Sequence, residues 1–405
     1  MRDKANNPHI LAINAGSSSL KFALFKGVER LLHGGIAAIG QEGATFSFSG
    51  SDPRTKVSRQ VSALDHLAAV DLLVDTIKGE LVGDGLAGVG HRIVHGGATF
   101  SAPRKIDPAM VATLRGLSAY DPEHLPPEIS LIEAFQHRLP GMPQVACFDT
   151  AFHHNLPRVA RLLPIPRRYE AKGVRRYGFH GLSCTFLLAE LARLDGAEAA
   201  NGRVVLAHLG SGASLTAVLG GKSMDTSMSF TPASGIPMSS RAGDLDPGLM
   251  TYLARTENMT PEQFGMMVNF RSGLLGVSET SGDMAELLKC EAADVRAAEA
   301  VAIFCYQVRK WIGAFAAALG GLDALVFAGG IGENAPLIRA RICQDLGFLG
   351  IELDEMRNDA GAPVISSDDG PVRVRVIHTD EEQVIAKSVA QVLDLEAKAS
   401  AGQPA

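Results

Sequence analysis

The chain has 405 residues, of which 46% are hydrophobic, 20% are charged and 6% are aromatic, and its formal net charge is −6. This composition excludes a disordered, collagenous or coiled-coil protein, and the length indicates two or three domains. A mildly acidic chain lacks the positive surface that binds nucleic acid or an anionic membrane, so we expect neither as a partner.

The first eight residues lack the apolar stretch of a secretory signal. The most apolar stretch, residues 311–332, is interrupted by Asp323 and by Gly320-Gly321, so it predicts a helix end, a turn and a buried strand. Five scattered cysteines without a Cys-x-x-Cys pair indicate thiols in a reducing cytosol and argue against disulfides or a thiolate zinc site. We therefore expect a cytoplasmic protein, with a frayed tail over residues 396–405.

Short apolar runs that are typical of buried strands recur along the chain. They cover residues 10–13, 144–148, 204–207, 325–327 and 372–377. Between them, apolar residues at spacings of three and four predict helices over 64–79 and 297–319. The alternation of strands and helices predicts an α/β architecture in which helices cover sheets.

Two segments combine a strand, a Gly/Ser turn and a second strand. The turn of the first is Asn14-Ala-Gly-Ser-Ser-Ser-Leu-Lys21, and the turn of the second is His208-Leu-Gly-Ser-Gly-Ala-Ser214. Their similarity suggests two related halves. Glycine and serine let backbone N–H groups and hydroxyls approach an anion, and Lys21 adds a positive charge. Each turn therefore either contacts a phosphate or uses these residues for hairpin geometry alone.

A third Gly-rich element, residues 327–336, follows a predicted strand. Its glycines leave room for a ligand such as a nucleoside, although a plain strand-to-helix connection has the same pattern. Pro336 predicts the start of a helix with Asn334 as its N-cap.

Charged side chains lie beside these elements. Arg92 stands near a Gly pair and can grip a carboxylate or phosphate, and Asp149 directly follows a predicted strand, where catalytic and turn-capping Asp residues both occur. His180 and Arg241 lie in Gly-rich loops. Together these four groups supply the cations and the carboxylate that in-line phosphoryl transfer requires.

Eight motifs run in one order over nearly the whole chain. They are NAGSSSLKF from Asn14, GHRIVHGG from Gly90, FDTAFHHNLP from Phe148, RRYGFHGLS from Arg175, HLGSGASL from His208, FTPASGIPMSSRAGDLDPG from Phe230, GGIGEN from Gly329 and TDEE from Thr379. On these motifs the sequence resembles the acetate/propionate kinase family of the actin–hexokinase–heat-shock ATPase superfamily.

The resemblance implies an α/β fold of two duplicated ribonuclease H-like (actin-like ATPase) domains with an active-site cleft between them, and a homodimer. We expect one domain over residues 1–150 plus about 385–405 and the other over residues 151–384. The implied reaction is a reversible, direct in-line phosphoryl transfer from ATP to acetate, giving acetyl phosphate and ADP. It requires Mg²⁺, for which Mn²⁺ can substitute.

The resemblance also implies roles for individual residues. The catalytic residues would be Asp149, His180 and Arg241, and the acid-binding residues would be Arg92, Val94, Phe179 and Pro232. The ATP contacts would be Ser17, Ser19, Lys21, His208, Leu209, Gly210, Ser211, Gly212, Asp283, Met284, Ala285, Gly330, Ile331, Gly332, Glu333 and Asn334. Mg²⁺ would be linked to Asn14 and Glu381.

Elementary acid–base chemistry limits the role of Asp149. A carboxylate acceptor with a pKa of about 4–5 is already ionised at pH 7 and needs no general base. We therefore expect Asp149 to position Mg²⁺ or arginine side chains. Arg92, His180 and Arg241 would neutralise the charge on the phosphoryl oxygens.

The chain departs from the family pattern at four places. Ser211 and Asp380 stand where the family has Asn, Ser239-Ser240 replaces Gly-Thr before Arg241, and residues 117–126 replace a segment of the acyl pocket. One methylene in an apolar pocket is worth only about 1–3 kcal/mol, so propionate and butyrate stay alternative acceptors.

Two further hypotheses compete with a carboxylate kinase. A sugar kinase of the same superfamily would need a general base and a polar pocket, and the apolar set Val94, Phe179 and Pro232 argues against it. A nucleotide-gated interaction module would need a client-binding domain, for which two domains leave no room.

Overall fold

The computed structural model describes residues 8–16, 19–40, 43–51, 56–62, 65–80 and 85–395. Ser17 and the tail predicted over residues 396–405 lie outside the described residues. Contacts divide the chain into a first unit, Met1–Ala151 with Asp380–Ala405, and a second unit, Phe152–Thr379. None of the helices in the described ranges has both the length and the apolar character of a membrane span.

The first unit is built on a mixed sheet. Its strands are β1 (His9–Ala15), β2 (Leu20–Lys26), β3 (Glu29–Ala37), β4 (Thr45–Gly50), β5 (Lys56–Gln60), β6 (Leu86–Ile93), β7 (Arg104–Lys105) and β8 (Gln144–Phe148). Their order across the sheet is β5-β4-β3-β2-β1-β6-β8-β7. Strands β1 to β5 are antiparallel neighbours, whereas β1, β6 and β8 run parallel. The helices that follow these strands are α1 (His66–Glu80), α2 (Pro108–Leu117) and α3 (Leu125–Arg138).

Apolar residues of β1 and β2 face the helices of the first unit. Leu11, Phe22 and Leu73 belong to one buried cluster, so the period-two pattern of the strands meets the helical pattern of α1. Helix α2 starts at Pro108 because the side chain of Asp107 accepts a hydrogen bond from the backbone N–H of Met110 at 2.7 Å. This packing fixes the ends of β6 and β8, where the charged residues Arg92 and Asp149 lie.

The second unit is built on another mixed sheet. Its strands are β9 (Val204–Leu209), β10 (Ala213–Leu219), β11 (Lys222–Thr226), β12 (Ala324–Ala328) and β13 (Arg373–Val376), in the order β11-β10-β9-β12-β13. Its helices are α4 (Arg158–Arg161), α5 (Gly181–Asp195), α6 (Ala197–Asn201), α7 (Gly248–Thr256), α8 (Pro261–Phe270), α9 (Gly273–Ser278), α10 (Met284–Cys290), α11 (Val295–Leu319), α12 (Gly329–Asn334), α13 (Pro336–Cys343) and α14 (Glu355–Asp359). Short 3₁₀ turns cover residues 170–172 and 347–349.

The two sheets share one strand order. In each sheet, the first strand in sequence (β1 or β9) has two strands in antiparallel arrangement on one side and two parallel strands on the other. The orders are β3-β2-β1-β6-β8 and β11-β10-β9-β12-β13. The predicted α/β fold with duplicated halves is confirmed. The five cysteines are free thiols, as their scattered positions predict.

One local prediction is wrong. Asn334 does not cap the helix that begins at Pro336, because Ala335 holds that position and Asn334 ends the short helix α12. The glycine run forms a helical turn since Glu333 Oε1 accepts a hydrogen bond from the Gly329 N–H at 2.8 Å. Asn334 Nδ2 then donates to Gly330 O at 2.9 Å.

Helix α15 (Glu381–Val392) packs on the sheet of the first unit, although it follows the second unit in sequence. It contacts β1, β6 and β8. Gly90 in β6 permits the close approach, because a Cβ at this position would lie 2.4 Å from Ile385 Cγ2 and 2.6 Å from Val389 Cγ2. The helix that carries Glu381 is therefore fixed to the strand that carries Arg92.

Replacing Gly90 with Ala is expected to lower the free energy of unfolding by about 1–3 kcal/mol, because the added methyl overpacks the contact with α15. The control is Gly116→Ala in α2, where the exposed site offers nothing within 4 Å of a new Cβ. Alanine there should raise stability by up to about 1 kcal/mol through helix propensity. Urea unfolding measures both variants, and equal stabilities would contradict the tight packing of α15.

Candidate active site

Arg92 and Asp149 form a buried ion pair at the ends of two parallel strands of the first unit, β6 and β8. Arg92 donates from Nε and Nη2 to Asp149 Oδ2 at 3.0 and 2.6 Å, and from Nη1 to Ala15 O at 3.2 Å. Asp149 is completely buried, and its Oδ1 has no hydrogen-bond partner among the described residues. The pair therefore fixes the guanidinium and leaves one carboxylate oxygen for a further ligand.

The surroundings of Arg92 keep it charged. Burial alone would lower the pKa of Arg92, but the nearby charges of Asp149, Glu381 and Glu128 outweigh burial and raise this pKa. Unlike a lysine in such a place, the guanidinium does not lose its proton at any working pH. The first unit thus holds a permanent cation at the end of β6, suited to an anionic ligand.

Asn14 connects β1 to the start of α15. Its Nδ2 donates to Glu381 Oε2 at 2.8 Å and to Glu382 Oε1 at 3.2 Å. Asp380, the N-cap of α15, accepts from the Gln383 N–H at 2.9 Å and forms an ion pair with Arg30. The carboxylate that departs from the family pattern is thus used as a helix cap and is balanced by a cation.

Burial, and next the charge of Asp149, raises the pKa of Glu381 from its ordinary 4.5 to about 7. Between these values the folded protein holds a proton that the unfolded chain releases. The stabilisation from this proton is complete below pH 4.5 and is lost as the pH rises through 7.

Glu381→Gln is therefore expected to match the wild type at low pH and to be more stable at pH 8, by roughly 1–3 kcal/mol. Glutamine keeps the shape and a hydrogen-bonding oxygen but never carries the buried charge. Urea unfolding at low pH and at pH 8, in the presence of EDTA, measures the difference in stability between the variant and the wild type. A variant whose stability follows that of the wild type at both pH values would contradict the shifted pKa.

Glu128, a residue that was not predicted from the sequence, lies close enough to the ion pair for its charge to act on Arg92. Both of its oxygens accept from the Val94 N–H, at 3.2 and 3.0 Å, and burial raises its pKa well above the usual range. Glu128 lies on the buried face of α3 with Leu125, Ile129 and Ile132. A carboxyl group at helical spacing among apolar residues is the signal that could have identified it. Glu128 holds the backbone of Val94, a predicted acid-binding residue.

His180 and His208 come together in the second unit. His180 is the N-cap of α5 in the left-handed conformation, with φ of 57°. The two imidazole rings stack with centroids 4.3 Å apart. His180 Nδ1 lies 2.9 Å from Ser214 Oγ, and His208 Nδ1 lies 2.7 Å from Ser183 Oγ. These serines orient the rings and were also missed, although Ser214 belongs to the same Gly/Ser turn as His208.

Arg241 lies beside the same turn. A Cβ at Gly212 would lie 3.3 Å from His180 Nε2 and 3.7 Å from Arg241 Nη1, so this position of the turn lies close to both side chains. Arg241 Nη1 donates to the carbonyl of Pro232 at 3.3 Å. The structure thus gathers two predicted catalytic groups of the second unit at the second hairpin. Phe179 and Pro232 are buried in this unit.

A cavity of about 400 Å³ in the second unit is lined by residues of the Gly210 turn, of the Asp283 turn and of the segment that forms α12 and the start of α13. Its lining is Gly210, Ser211, Gly282, Asp283, Met284, Ala285, Leu288, Gly330, Ile331, Asn334, Ala335, Pro336 and Leu337. Most of the ATP contacts predicted in this unit are among them. Gly282, Leu288 and residues 335–337 also line the cavity, and they flank the motifs from which the ATP contacts were predicted. The volume is in the usual range for small-molecule sites.

The other predicted ATP contacts have different surroundings. His208, Leu209, Gly212, Gly332 and Glu333 are not in that lining. The carboxylate of Glu333 accepts from the N–H groups of Gly329 and Thr379 and pairs with His378 Nδ1 at 2.8 Å. It therefore fixes the backbone at Gly329 and Thr379.

Ser19 and Lys21 lie in the first unit. They line a separate cavity of about 390 Å³ together with Arg30 and His33.

A model of the Acetokinase family matches residues 9–387. The chain belongs to the acetokinase family. An acetate kinase of Rhodopseudomonas palustris (strain ATCC BAA-98 / CGA009) is 43% identical over 394 residues, covering 95% of this chain and 98% of the relative. A propionate kinase of Citrobacter rodentium (strain ICC168) is 43% identical over 390 residues, covering 95% of this chain and 96% of the relative.

Solved structures of the family agree with the fold of this acetokinase. Porphyromonas gingivalis acetate kinase matches with a TM-score of 0.85 and 35% identity, covering 95% of this chain and 100% of that chain. A propionate kinase from Francisella tularensis subsp. tularensis SCHU S4 matches with a TM-score of 0.88 and 34% identity, covering 94% and 98%. The acetokinase is thus a carboxylate-accepting ATP phosphotransferase, as predicted. The sugar kinase and interaction-module hypotheses are disfavoured.

Proposed function

We propose that this acetokinase phosphorylates acetate, converting ATP and acetate reversibly into ADP and acetyl phosphate. The observation that carries the proposal is the Arg92–Asp149 pair, which holds a permanently charged guanidinium in place close to Val94. A short-chain acid needs a cation for its carboxylate and an apolar contact for its methyl group. Arg92 and Val94 would supply these from the first unit, and Phe179 and Pro232 would complete the apolar contact.

The donor nucleotide is assigned to the second unit. We propose that it occupies the cavity of about 400 Å³ between the Gly210 turn, the Asp283 turn and helix α12. Glycines there leave backbone N–H groups open to phosphate oxygens. His208, Leu209 and Gly212 would contact the phosphates through the second hairpin, Gly332 and Glu333 would hold α12, and Ser17, Ser19 and Lys21 would act from the first hairpin.

In the proposed transfer, a carboxylate oxygen of acetate attacks the γ-phosphorus of ATP in line. The new O–P bond forms as the bond to the oxygen between the β- and γ-phosphorus atoms breaks, and ADP leaves with that electron pair. No proton has to be removed from the acceptor. Arg92, His180 and Arg241 would neutralise charge on the equatorial oxygens, and Asp149 would keep Arg92 in place. The proposed transfer uses residues of both units. We therefore propose that residues 1–151 with 380–405 and residues 152–379 act as two cooperating domains.

Mg²⁺ is the proposed cation, with Mn²⁺ as a substitute. In the part of the chain that the structure describes, no group of three or more His, Cys, Asp or Glu side chains is arranged to hold a metal. Mg²⁺ is commonly held by one or two carboxylates with water and substrate phosphates. Glu381, Asn14 and the buried Asp149 Oδ1 fit such a set. Bound there, the ion would neutralise phosphate charge.

A homodimer is proposed from an exposed apolar face of the second unit. Tyr252, Met266, Phe270, Ile303 and Tyr306 are large and exposed on α7, α8 and α11. A cavity of about 720 Å³ lies among the same helices and α9. Large exposed apolar side chains around a cavity are typical of an interaction surface, and a second copy is the partner proposed for it.

A cytoplasmic location is proposed from the sequence alone.

Acyl phosphate formation tests the function. Mg-ATP is mixed with formate, acetate, propionate, butyrate or glycerol, and the product is trapped with hydroxylamine as the hydroxamate. We expect the highest kcat/KM with acetate. Propionate is the second candidate, because the propionate kinase relative is as similar as the acetate kinase relative. The proposal fails if none of the acids gives hydroxamate, whereas a maximum at propionate moves the substrate and keeps the mechanism.

A further inference from the structure

Arg339 in α13 is a completely buried guanidinium whose hydrogen bonds go to uncharged acceptors. Its Nε and Nη2 donate to Oδ1 and the backbone carbonyl of Asn358, at 2.9 and 2.8 Å. Its Nη1 donates to the carbonyls of Gly332 and Glu333, at 2.9 and 3.0 Å. Burying a charge without a charged partner is costly, and these four hydrogen bonds offset part of that cost.

The two carbonyls to which Arg339 Nη1 donates, those of Gly332 and Glu333, belong to the last turn of α12. The last carbonyls of a helix have no partner within it and form the negative end of its dipole, so a cation is favoured there. The first turn of α12 is held as well, because Glu333 Oε1 accepts from the Gly329 N–H at 2.8 Å. A short, glycine-rich helix with little intrinsic stability is therefore held at both ends by side chains.

Asn358 extends the same network to the next helix. Its Nδ2 donates to the carbonyl of Pro336 at 3.0 Å, at the start of α13. Arg339 and Asn358 together thus connect the end of α12 to the start of α13. These two segments supply Ile331, Asn334, Pro336 and Leu337 to the cavity of about 400 Å³.

We propose that Arg339 is a positioning residue for the nucleotide: it sets the wall of this cavity through α12 and α13 and thereby determines nucleotide affinity. The inference rests on the proposed function in assigning the cavity to ATP. Arg339 itself lies behind the wall and is not in the lining. Its loss should therefore weaken nucleotide binding and leave the binding of the acid unchanged.

The test compares Arg339→Met with Arg339→Lys and with the control Arg341→Met. Arg341 lies on the same helix but forms a partly exposed ion pair with Glu291 at 2.7 Å. For Arg339→Met we expect about a ten- to hundredfold rise in KM for ATP and in the calorimetric Kd for Mg-ADP. The KM for acetate should stay within a factor of two or so. Arg339→Lys keeps a cation near the carbonyls and should show a smaller rise, and Arg341→Met should show none.

Asn358→Ala is the second variant, because it keeps the buried cation while removing one acceptor of Arg339 and the bond to Pro336. It should raise the same two nucleotide constants, and it decides the question if Arg339→Met does not fold. Unchanged nucleotide constants in a folded Arg339→Met or Asn358→Ala would overturn the inference, as would an equal rise in Arg341→Met. The Mg-ADP titration needs no acid, so it separates this inference from the proposed reaction, which the hydroxamate assay of the wild type tests.

Discussion

Asp149→Asn is expected to lower kcat for acyl phosphate formation by about a hundred- to a thousandfold. Asparagine keeps the volume but removes the charge to which Arg92 donates at 3.0 and 2.6 Å. It also replaces an oxygen that has no hydrogen-bond partner in the described ranges and that we assign to the cation. Steady-state rates with acetate and Mg-ATP between pH 6 and 9 measure the loss.

The lost activity should not return at high pH, because the acceptor is already ionised and no general base is missing. Recovery at pH 9 would contradict a positioning role for Asp149 and indicate that it transfers a proton. Asp195→Asn is the matched control. Asp195 is a partly buried carboxylate of the second unit that forms an ion pair with Arg375, and it has no assigned part in the reaction. Its variant should keep a kcat close to that of the wild type.

Arg92→Met is expected to remove acid binding and to lower the free energy of unfolding by about 3–5 kcal/mol, because it leaves Asp149 as an uncompensated buried charge. Glu381 and Glu128 also lose the cation that lowers their pKa values, so both values should rise further. Protonation then relieves the repulsion, and the deficit in stability should shrink as the pH falls. Urea unfolding at pH 8 and pH 5.5 measures it.

The double variant Arg92→Met/Asp149→Asn provides the control for this explanation. If the cost of Arg92→Met comes from the stranded charge of Asp149, removing that charge should restore part of the stability at pH 8. A double variant that is less stable than Arg92→Met would mean that the loss comes from packing instead. Neither variant is expected to bind acetate, so stability and function separate in this pair.

The strand ends and their charged residues could be predicted from the sequence for a local reason. Buried strands are short apolar runs, and the polar residue that follows such a run lies at the end of the strand. Asp149 is in the expected position for this reason, directly after β8. The hairpins at Asn14 and His208 were predictable in the same way, because glycine and serine turns between alternating residues are local signals.

Other features depend on contacts between distant residues and could not be predicted from local patterns. Glu128 bonds the backbone of Val94, 34 positions earlier in the chain, and no helical pattern names that partner. Helix α12 has a composition that disfavours helix, and it forms because Glu333 and Arg339 hold its ends. The residues of β3 and β4 that line a cavity together with Lys21 are likewise not encoded by the turn that precedes it.

The position of α15 has a consequence for how the protein is made. Residues 380–395 include the helix that packs on the sheet of the first unit, yet the ribosome synthesises them only after residues 152–379. At about 5–20 residues per second, the helix that covers strands β1 and β6 is synthesised roughly fifteen to seventy-five seconds after them. Until then Arg92 and Asp149 lack Glu381 as a neighbour, whereas the second unit is already complete. A nascent chain can therefore acquire the cavity of the second unit before the unit that carries Arg92 and Asp149 is finished.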